Sequence, residues 1–293
     1  FYWAMLLVLF AMFFRPVGFE YRSKMTDARW RSAWDWGLTV GGAVPALVFG
    51  VAFGNLFLGV PFTLDEFMRS TYSGSFWALL NPFGLLAGLI SLGMLTLHGA
   101  TYLQMRTDGT LHERARKTGV LLGVLVAVLF GLAGVWVSGM DGYVLTASAD
   151  VGAAMSPLQK TAELQAGGWM QNYSQYPLAI LAPVVGFAGL LLASLFSLLN
   201  RGALAFVGSS LAPVGVILAA GVSLFPFIMP SSLNPSHSLT VWDVVSSELT
   251  LNIMFWVAMV FVPIVLSYTA WGYYKMRGRL TTDFIEQNKY STY

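Results

Sequence analysis

The stretch TGVLLGVLVAVLFGLAGVWVSGM, residues 118–140, carries no charged side chain. It is long enough to cross a bilayer, whose hydrocarbon core of about 30 Å takes about 20 mostly apolar residues in helical form. It does not alternate apolar with polar residues as a barrel strand would, and a helix is the open-ended structure that satisfies its own backbone in lipid. Working outward, similar runs occupy approximately 36–59, 76–104, 177–199, 202–229 and 249–274, and a shorter one, 1–14, opens the chain. The fold class that follows is an all-α polytopic membrane protein. It is a helix bundle with seven hydrophobic segments, forming a single transmembrane domain over residues 1–293. The first segment is shorter than a span and lacks the charged flank and cleavage site of a signal peptide, so it reads as a truncated helix.

Composition points the same way. Of 293 residues 56% are apolar and 10% charged, against about 45–50% and about 25% in a soluble domain. The absence of Cys excludes disulfides, iron–sulfur clusters and thiolate metal sites. With three His there is no room for a multi-histidine centre, so no metal site and no nucleic-acid partner are expected in this chain.

Orientation follows from Lys and Arg. On a strictly alternating path, every basic residue except Arg69 and Lys160 lies on the side of the loop after the first segment, including the C-terminal Lys289. The acidic residues divide evenly, so the bias is the positive-inside rule at work and the C-terminus is expected in the cytoplasm. The outer loops are then approximately 60–75, 141–176 and 230–248. The longest carries Asp141, Asp150 and Glu163 and has room for a short surface helix. Gly84 to Gly88 and Gly119 to Gly123 are GxxxG spacings that let helix backbones approach. Pro45, Pro82, Pro183, Pro213, Pro226 and Pro263 sit within or at the ends of spans, where they kink helices.

Ionisable groups at membrane depth are functional candidates, and His98 is the one well inside a span, about two turns from Arg106. It has two readings: a haem ligand, or a neutral imidazole hydrogen-bonded to a neighbouring helix. The densest polar cluster is Arg15 to Lys24. Here Pro16 and Gly18 are expected to break the first helix, and Glu20 and Lys24 stand at the i, i+4 spacing of an ion pair. A carboxylate and an amine at a membrane mouth act either as interfacial anchors or as a proton relay. Asp35, between Trp34 and Trp36, is expected to cap the second helix. Asp243 and Glu248 are placed to complement the N-terminus of the last helix, and His237 reads as a surface residue.

The same residues carry a resemblance. Phe14-Arg15-Pro16-Val17-Gly18-Phe19-Glu20-Tyr21-Arg22-Ser23-Lys24, Trp34-Asp35-Trp36-Gly37, Gly50-Val51-Ala52-Phe53-Gly54-Asn55, Gly59-Val60-Pro61-Phe62, Leu80-Asn81-Pro82-Phe83-Gly84 and Gly99-Ala100-Thr101-Tyr102 closely resemble subunit II of the cytochrome bd-type quinol oxidases. Phe225-Pro226-Phe227-Ile228-Met229-Pro230-Ser231-Ser232, Ser238-Leu239-Thr240-Val241-Trp242-Asp243 and Tyr268-Thr269-Ala270-Trp271 extend the likeness over the whole chain. The resemblance implies an eight-helix subunit, with one helix and part of a second preceding Phe1. It implies a partner, subunit I, that holds haem b and haem d (or a b-type replacement) and oxidises quinol, while protons for oxygen reduction come from the cytoplasm. It assigns Glu20 and Lys24 to that proton path. It also implies a structural quinone in this subunit, a bacterial inner-membrane location among lipid, and room for small accessory subunits. No catalytic residue is implied in this chain. His98 falls where the family requires no His, which favours the neutral, hydrogen-bonded imidazole. Two alternatives remain at this level: a secondary transporter, which needs polar groups at the midplane and repeated halves, and a purely structural partner in which Glu20 and Lys24 are idle.

Overall fold

A computed structural model describes residues 2–147, 157–281 and Phe284, so Asp150 and Lys289 lie outside the described residues. Seven helices long and apolar enough to cross a membrane are present among them. They are α1 (Tyr2–Tyr21), α2 (Ala28–Leu58), α3 (Pro82–Arg106), α4 (Gly109–Ser138), the span Pro177–Leu198 that contains α6 (Leu181–Leu198), α7 (Gly202–Leu224) and α8 (Glu248–Lys275). A one-turn helix, α5 (Gln171–Gln175), lies in the longest outer loop. The first outer loop pairs β1 (Phe62–Leu64) with β2 (Ser70–Tyr72), and the longest is also built on an antiparallel hairpin, β3 (Asp141–Ala147) with β4 (Thr161–Ala166), so a strand pair accompanies the expected short helix.

Several helix ends depart from the hydropathic segments, because hydropathy reports the membrane whereas capping sets the helix. α2 begins at Ala28, capped by Asp27, whose side chain accepts from the Arg29 N–H at 2.9 Å. α3 waits until Pro82, where the Asn81 side chain caps the Gly84 N–H at 2.6 Å. α4 runs on through the polar turn Arg114–Lys117. α7 stops at Leu224, and Phe227–Met229 form β5, paired with β6 (Leu239–Thr240). The expected break at Pro16 and Gly18 is overturned: α1 continues through both to Tyr21. Proline is tolerated because an interfacial helix can re-satisfy the carbonyl it strands.

Close backbone approach organises the bundle. Gly84 and Gly88 face α2 across Asn55 and Val51, and Gly119 and Gly123 face α6 across Ser197 and Ser194. The tightest pair is α6 with α7: a Cβ on Gly215 would stand 2.0 Å from the Gly186 nitrogen, and one on Gly189 2.5 Å from the Ala212 nitrogen. One core cluster fills the middle (Ile90, Met94, Leu97, Val126, Leu190, Ala212), and a second, aromatic one closes the outer end (Phe57, Phe83, Tyr143, Trp169, Phe227). α8 buries no residue against the rest of the chain. It is tied near the end of the bundle that carries the α1–α2 turn by the Leu280 N–H donating to the Arg106 carbonyl at 2.8 Å.

The three outer loops knit into a cap. The Leu64 N–H donates to His237 Nδ1 at 3.0 Å, which makes His237 a half-buried tie between loops and corrects its reading as a surface residue. The Ser231 hydroxyl donates to the Phe62 carbonyl, and the Ala162 N–H to Ser236 Oγ at 3.3 Å.

Candidate functional site

The turn joining α1 to α2 gathers the charged residues expected at the cytoplasmic mouth. Glu20 occupies the last turn of α1, and Lys24 follows in the connecting turn with its Nζ 3.6 Å from Glu20 Oε1. Both side chains are about three-fifths exposed, at 63% and 61%, so the pair lies open at the surface of this chain. Beside it, Arg22 makes a two-pronged contact with Asp35, Nε to Oδ1 at 2.5 Å and Nη2 to Oδ2 at 3.1 Å. Asp35 is therefore not the cap of α2: it lies inside that helix, and its acceptors are spent on a guanidinium from the preceding turn. Asp35 accounts for the upward push on Arg22, by hydrogen bond first and charge second. Trp30 Nε1 donates to the Tyr21 carbonyl at 2.9 Å, and Tyr21 stacks on Trp34 at 6.3 Å, so aromatic rings brace both ends of the turn.

The outer surface is the electrostatic opposite. Both basic residues on that side have carboxylate partners: Arg69 Nε meets Asp65 Oδ2 at 2.7 Å, and Lys160 meets Asp243 in a pair whose side chains are 5% and 9% exposed. Asp65 also accepts the backbone N–H groups of Arg69 and Phe67, which with the guanidinium hold its carboxyl below the usual carboxylate range. Asp243 thus binds Lys160 and caps the Thr240 N–H, while Glu248 alone of the expected acidic pair stands in the first turn of α8.

At depth, α2, α3, α4, α6 and α7 enclose a cavity of about 580 Å³, with Phe49, Phe53, Met94, Phe130, Phe187 and Ile217 among its lining residues. Of its polar groups, Tyr173 donates its hydroxyl to the Ala219 carbonyl at 3.0 Å, and Ser223 donates to Tyr173 at 3.3 Å. What the cavity offers is an apolar interior within the size range of small-molecule sites. No imidazole lines it, so its walls do not fit a histidine-ligated haem. His98 stands apart from it, with Nδ1 3.1 Å from Ser209 Oγ and its ring stacked on Phe206 at 4.7 Å. Among the described residues no group of three or more His, Cys, Asp or Glu is placed to hold a metal ion.

Reading the residues alone had missed the cavity, the Arg22–Asp35 pair and the Lys160–Asp243 pair. The Asn55–Asn81 amides had carried only the family likeness; here Asn81 Nδ2 donates to Asn55 Oδ1 at 2.8 Å, and Asn55 Nδ2 donates to the carbonyls of Val51 and Leu79. The signal for the asparagines was the Asn-Pro dipeptide at a helix start, whereas the rest had no local signal.

Charge confined to the two surfaces, an apolar hollow between them and a chain path of seven spans define a multi-pass helical membrane subunit. A family model described as cytochrome bd terminal oxidase subunit II matches residues 1–276. Subunit 2 of cytochrome bd-I ubiquinol oxidase from Escherichia coli K12 is 53% identical over 294 residues, covering 100% of this chain and 78% of that protein. The probable cytochrome oxidase subunit 2 of Haemophilus influenzae is 51% identical over 293 residues, with the same coverage. Cytochrome bd ubiquinol oxidase subunit 2 of Bacillus subtilis is 30% identical over 285 residues, covering 96% of this chain and 74% of that protein. The chain belongs to the cytochrome bd terminal oxidase subunit II family. It is a subunit of a terminal quinol oxidase, an oxidoreductase complex that contains haem and a subunit I, and it is a multi-pass protein of the bacterial inner membrane. The transporter alternative falls with that membership.

Proposed function

We propose that this subunit supplies part of the cytoplasmic proton path of the oxidase through Glu20 and Lys24, supports assembly with subunit I, and leaves haem b and haem d, or a b-type replacement, to that partner. The observation that carries the proton reading is the position of the Glu20–Lys24 pair, open at the surface of the chain where α1 hands over to α2. A carboxylate and an amine at such a mouth can take protons from the cytoplasm and relay them inward. The Arg22–Asp35 pair beside it fixes the turn without competing for the same proton.

The haem assignment draws support from the engagement of all three imidazoles by protein groups and from the lack of any imidazole in the cavity. The cavity suits the long apolar tail of a structural quinone, and the relatives' names favour ubiquinol as the reductant of the complex. A bound quinone would be held by Phe49, Phe53, Met94 and Phe187 and would supply packing rather than electron transfer. α8, which buries nothing against its own chain, offers an apolar surface to subunit I, to accessory subunits or to lipid. With the basic residues gathered on the α1–α2 side, the C-terminus is cytoplasmic.

The test is quinol-driven oxygen uptake by the purified complex. Glu20→Ala slows turnover while the reduced-minus-oxidised haem spectrum stays intact. Unchanged turnover at normal haem content would refute the proton role and leave a purely structural subunit.

A further inference from the structure

His98, Thr101 and Gln104 recur at every third residue of α3, on the side that α6 and α7 cover. Thr101 and Gln104 are fully buried, as are Ser197 of α6 and Ser209 of α7. At the deep end, His98 Nδ1 lies 3.1 Å from Ser209 Oγ, which lies 2.7 Å from Thr101 Oγ1. At the cytoplasmic end, Gln104 Nε2 donates to the Ser197 main-chain carbonyl at 3.2 Å, and the Gln104 main-chain carbonyl meets His112 Nδ1 at 2.9 Å. His112 Nε2 then meets Asn200 Oδ1 at 2.7 Å, on the exposed turn between α6 and α7.

Between these two hydrogen-bonded ends, Gln104 Oε1 and Ser197 Oγ are buried with no partner. Native proteins satisfy such atoms with a protein group or an ordered water. The space beside them is kept by Gly119: a Cβ there would stand 2.7 Å from Ser197 Oγ and 3.8 Å from Thr101 Cγ2. Across Gly119, Ser197 Oγ therefore lies close to Thr101 at the deep end of the series.

We propose that Gln104 Oε1 and Ser197 Oγ hold an internal water that joins the two ends into one track, through which His98 exchanges protons with the cytoplasm. Amides relay no proton, so the water itself travels: it arrives from the cytoplasm carrying an extra proton, releases that proton to the Thr101 and Ser209 hydroxyls, each of which passes its own onward, and leaves neutral. The last of these protons is delivered to the His98 imidazole, so each hydroxyl gains and loses one proton. Each hydroxyl has an alternative acceptor for its single proton, the His98 carbonyl at 2.9 Å for Thr101 and the Phe206 carbonyl at 2.9 Å for Ser209, so it switches between that carbonyl and the track. The ring of His98 is covered by Phe206, with Tyr102 beyond it and Tyr273 of α8 beyond that, so its neighbours are aromatic. This track is separate from Glu20 and Lys24 and does not rest on their role.

The experiment uses the whole oxidase complex, labelled with ¹⁵N-histidine and reconstituted in lipid. Solid-state NMR reads magnetisation transfer from water to the His98 imidazole, assigned by difference from His98→Phe. Transfer is expected in the unaltered complex and in Glu20→Ala, and its loss is expected in Gln104→Leu and in Thr101→Val. Both track variants swap buried polar atoms for apolar ones of similar shape, and an unchanged haem spectrum checks that the complex is intact. Absence of transfer in the unaltered complex overturns the proposal. So does undiminished transfer in both track variants, which would mean that His98 reaches water by another side.

Discussion

Removing the charge of Lys160 tests the outer cap at its most exposed energetic point. Lys160 immediately precedes β4, and Asp243 lies between β6 and α8, so the pair clasps the hairpin of one loop to the next. Lys160 Nζ also donates to the Pro157 carbonyl at 2.7 Å, and Asp243 Oδ1 accepts the Thr240 N–H at 2.7 Å. With both side chains almost wholly out of water, Lys160→Met keeps the aliphatic stem but leaves Asp243 a buried carboxylate with one backbone donor. Stripping one partner from a buried pair costs about 3–5 kcal/mol. At about 1.4 kcal/mol per factor of ten, amide-exchange protection over β3 and β4 should fall roughly a hundredfold to several thousandfold. Hydrogen exchange read by mass spectrometry on the purified complex measures this locally, without requiring a two-state unfolding of the whole assembly. Adding Asp243→Asn removes the stranded charge while keeping an acceptor for Thr240, and should recover most of the protection. Unchanged protection in the single variant, or no recovery in the double, would refute the reasoning.

Other perturbations have equally direct outcomes. Gly59 has φ +79° and ψ 147°, and a Cβ there would stand 2.2 Å from the Tyr143 hydroxyl; Gly59→Ala should destabilise by about 1–3 kcal/mol from the backbone alone, seen as a shortened thermal half-life of the complex. Asn55→Leu strips donors from the Val51 and Leu79 carbonyls and the acceptor from Asn81; it should cost about 1–3 kcal/mol, read as faster exchange at the outer ends of α2 and α3. Burial pushes Tyr143 from 10.0 up to about 12. The folded state therefore favours the neutral phenol, so stability is full below pH 10 and is lost as pH rises towards 12. Tyr143→Phe should abolish that alkaline loss in melting curves taken against pH.

The spans were legible because a membrane imposes one requirement, apolar length, that a window over the sequence detects. Their ends were not, since α2 starts where Asp27 caps it and α7 stops where the chain turns into β5, both decided by local hydrogen bonding. The Gly84/Gly88 and Gly119/Gly123 contacts could be read from spacing, but the closer α6–α7 approach through Gly186, Gly189 and Gly215 does not follow that spacing. Glu20 and Lys24 were visible as a pair because one helical turn separates them. Asp35 was misread because its partner Arg22 arrives across a turn, and Lys160 with Asp243 because the partners come from different loops. The cavity is a property of five helices together and has no trace in any one of them.

The polar groups also have a direction. From the side of the α1–α2 turn, ionisable side chains reach inward as far as His98, which meets Ser209 and, next to it, Thr101. At and beyond that level α3, α4, α6 and α7 pack Ile90, Met94, Leu97, Val126, Ala127 and Leu190, a cluster without an ionisable group that also walls the apolar cavity. Past it come the aromatic cluster around Trp169 and the hydrogen-bonded cap, where Arg69 and Lys160 are each neutralised by a carboxylate. A proton admitted from the cytoplasm therefore meets a dry wall before the outer face, because moving a charge through an apolar layer without partners is costly. On the proton role proposed above, that asymmetry would keep protons drawn from the cytoplasm from leaking outward. Placing an ionisable side chain in the wall, as in Leu97→Asp at a position 0% exposed, should accordingly raise passive proton leak in reconstituted vesicles even where turnover persists. Vesicles as tight as those with the unaltered complex, at equal incorporation, would show that the seal lies elsewhere.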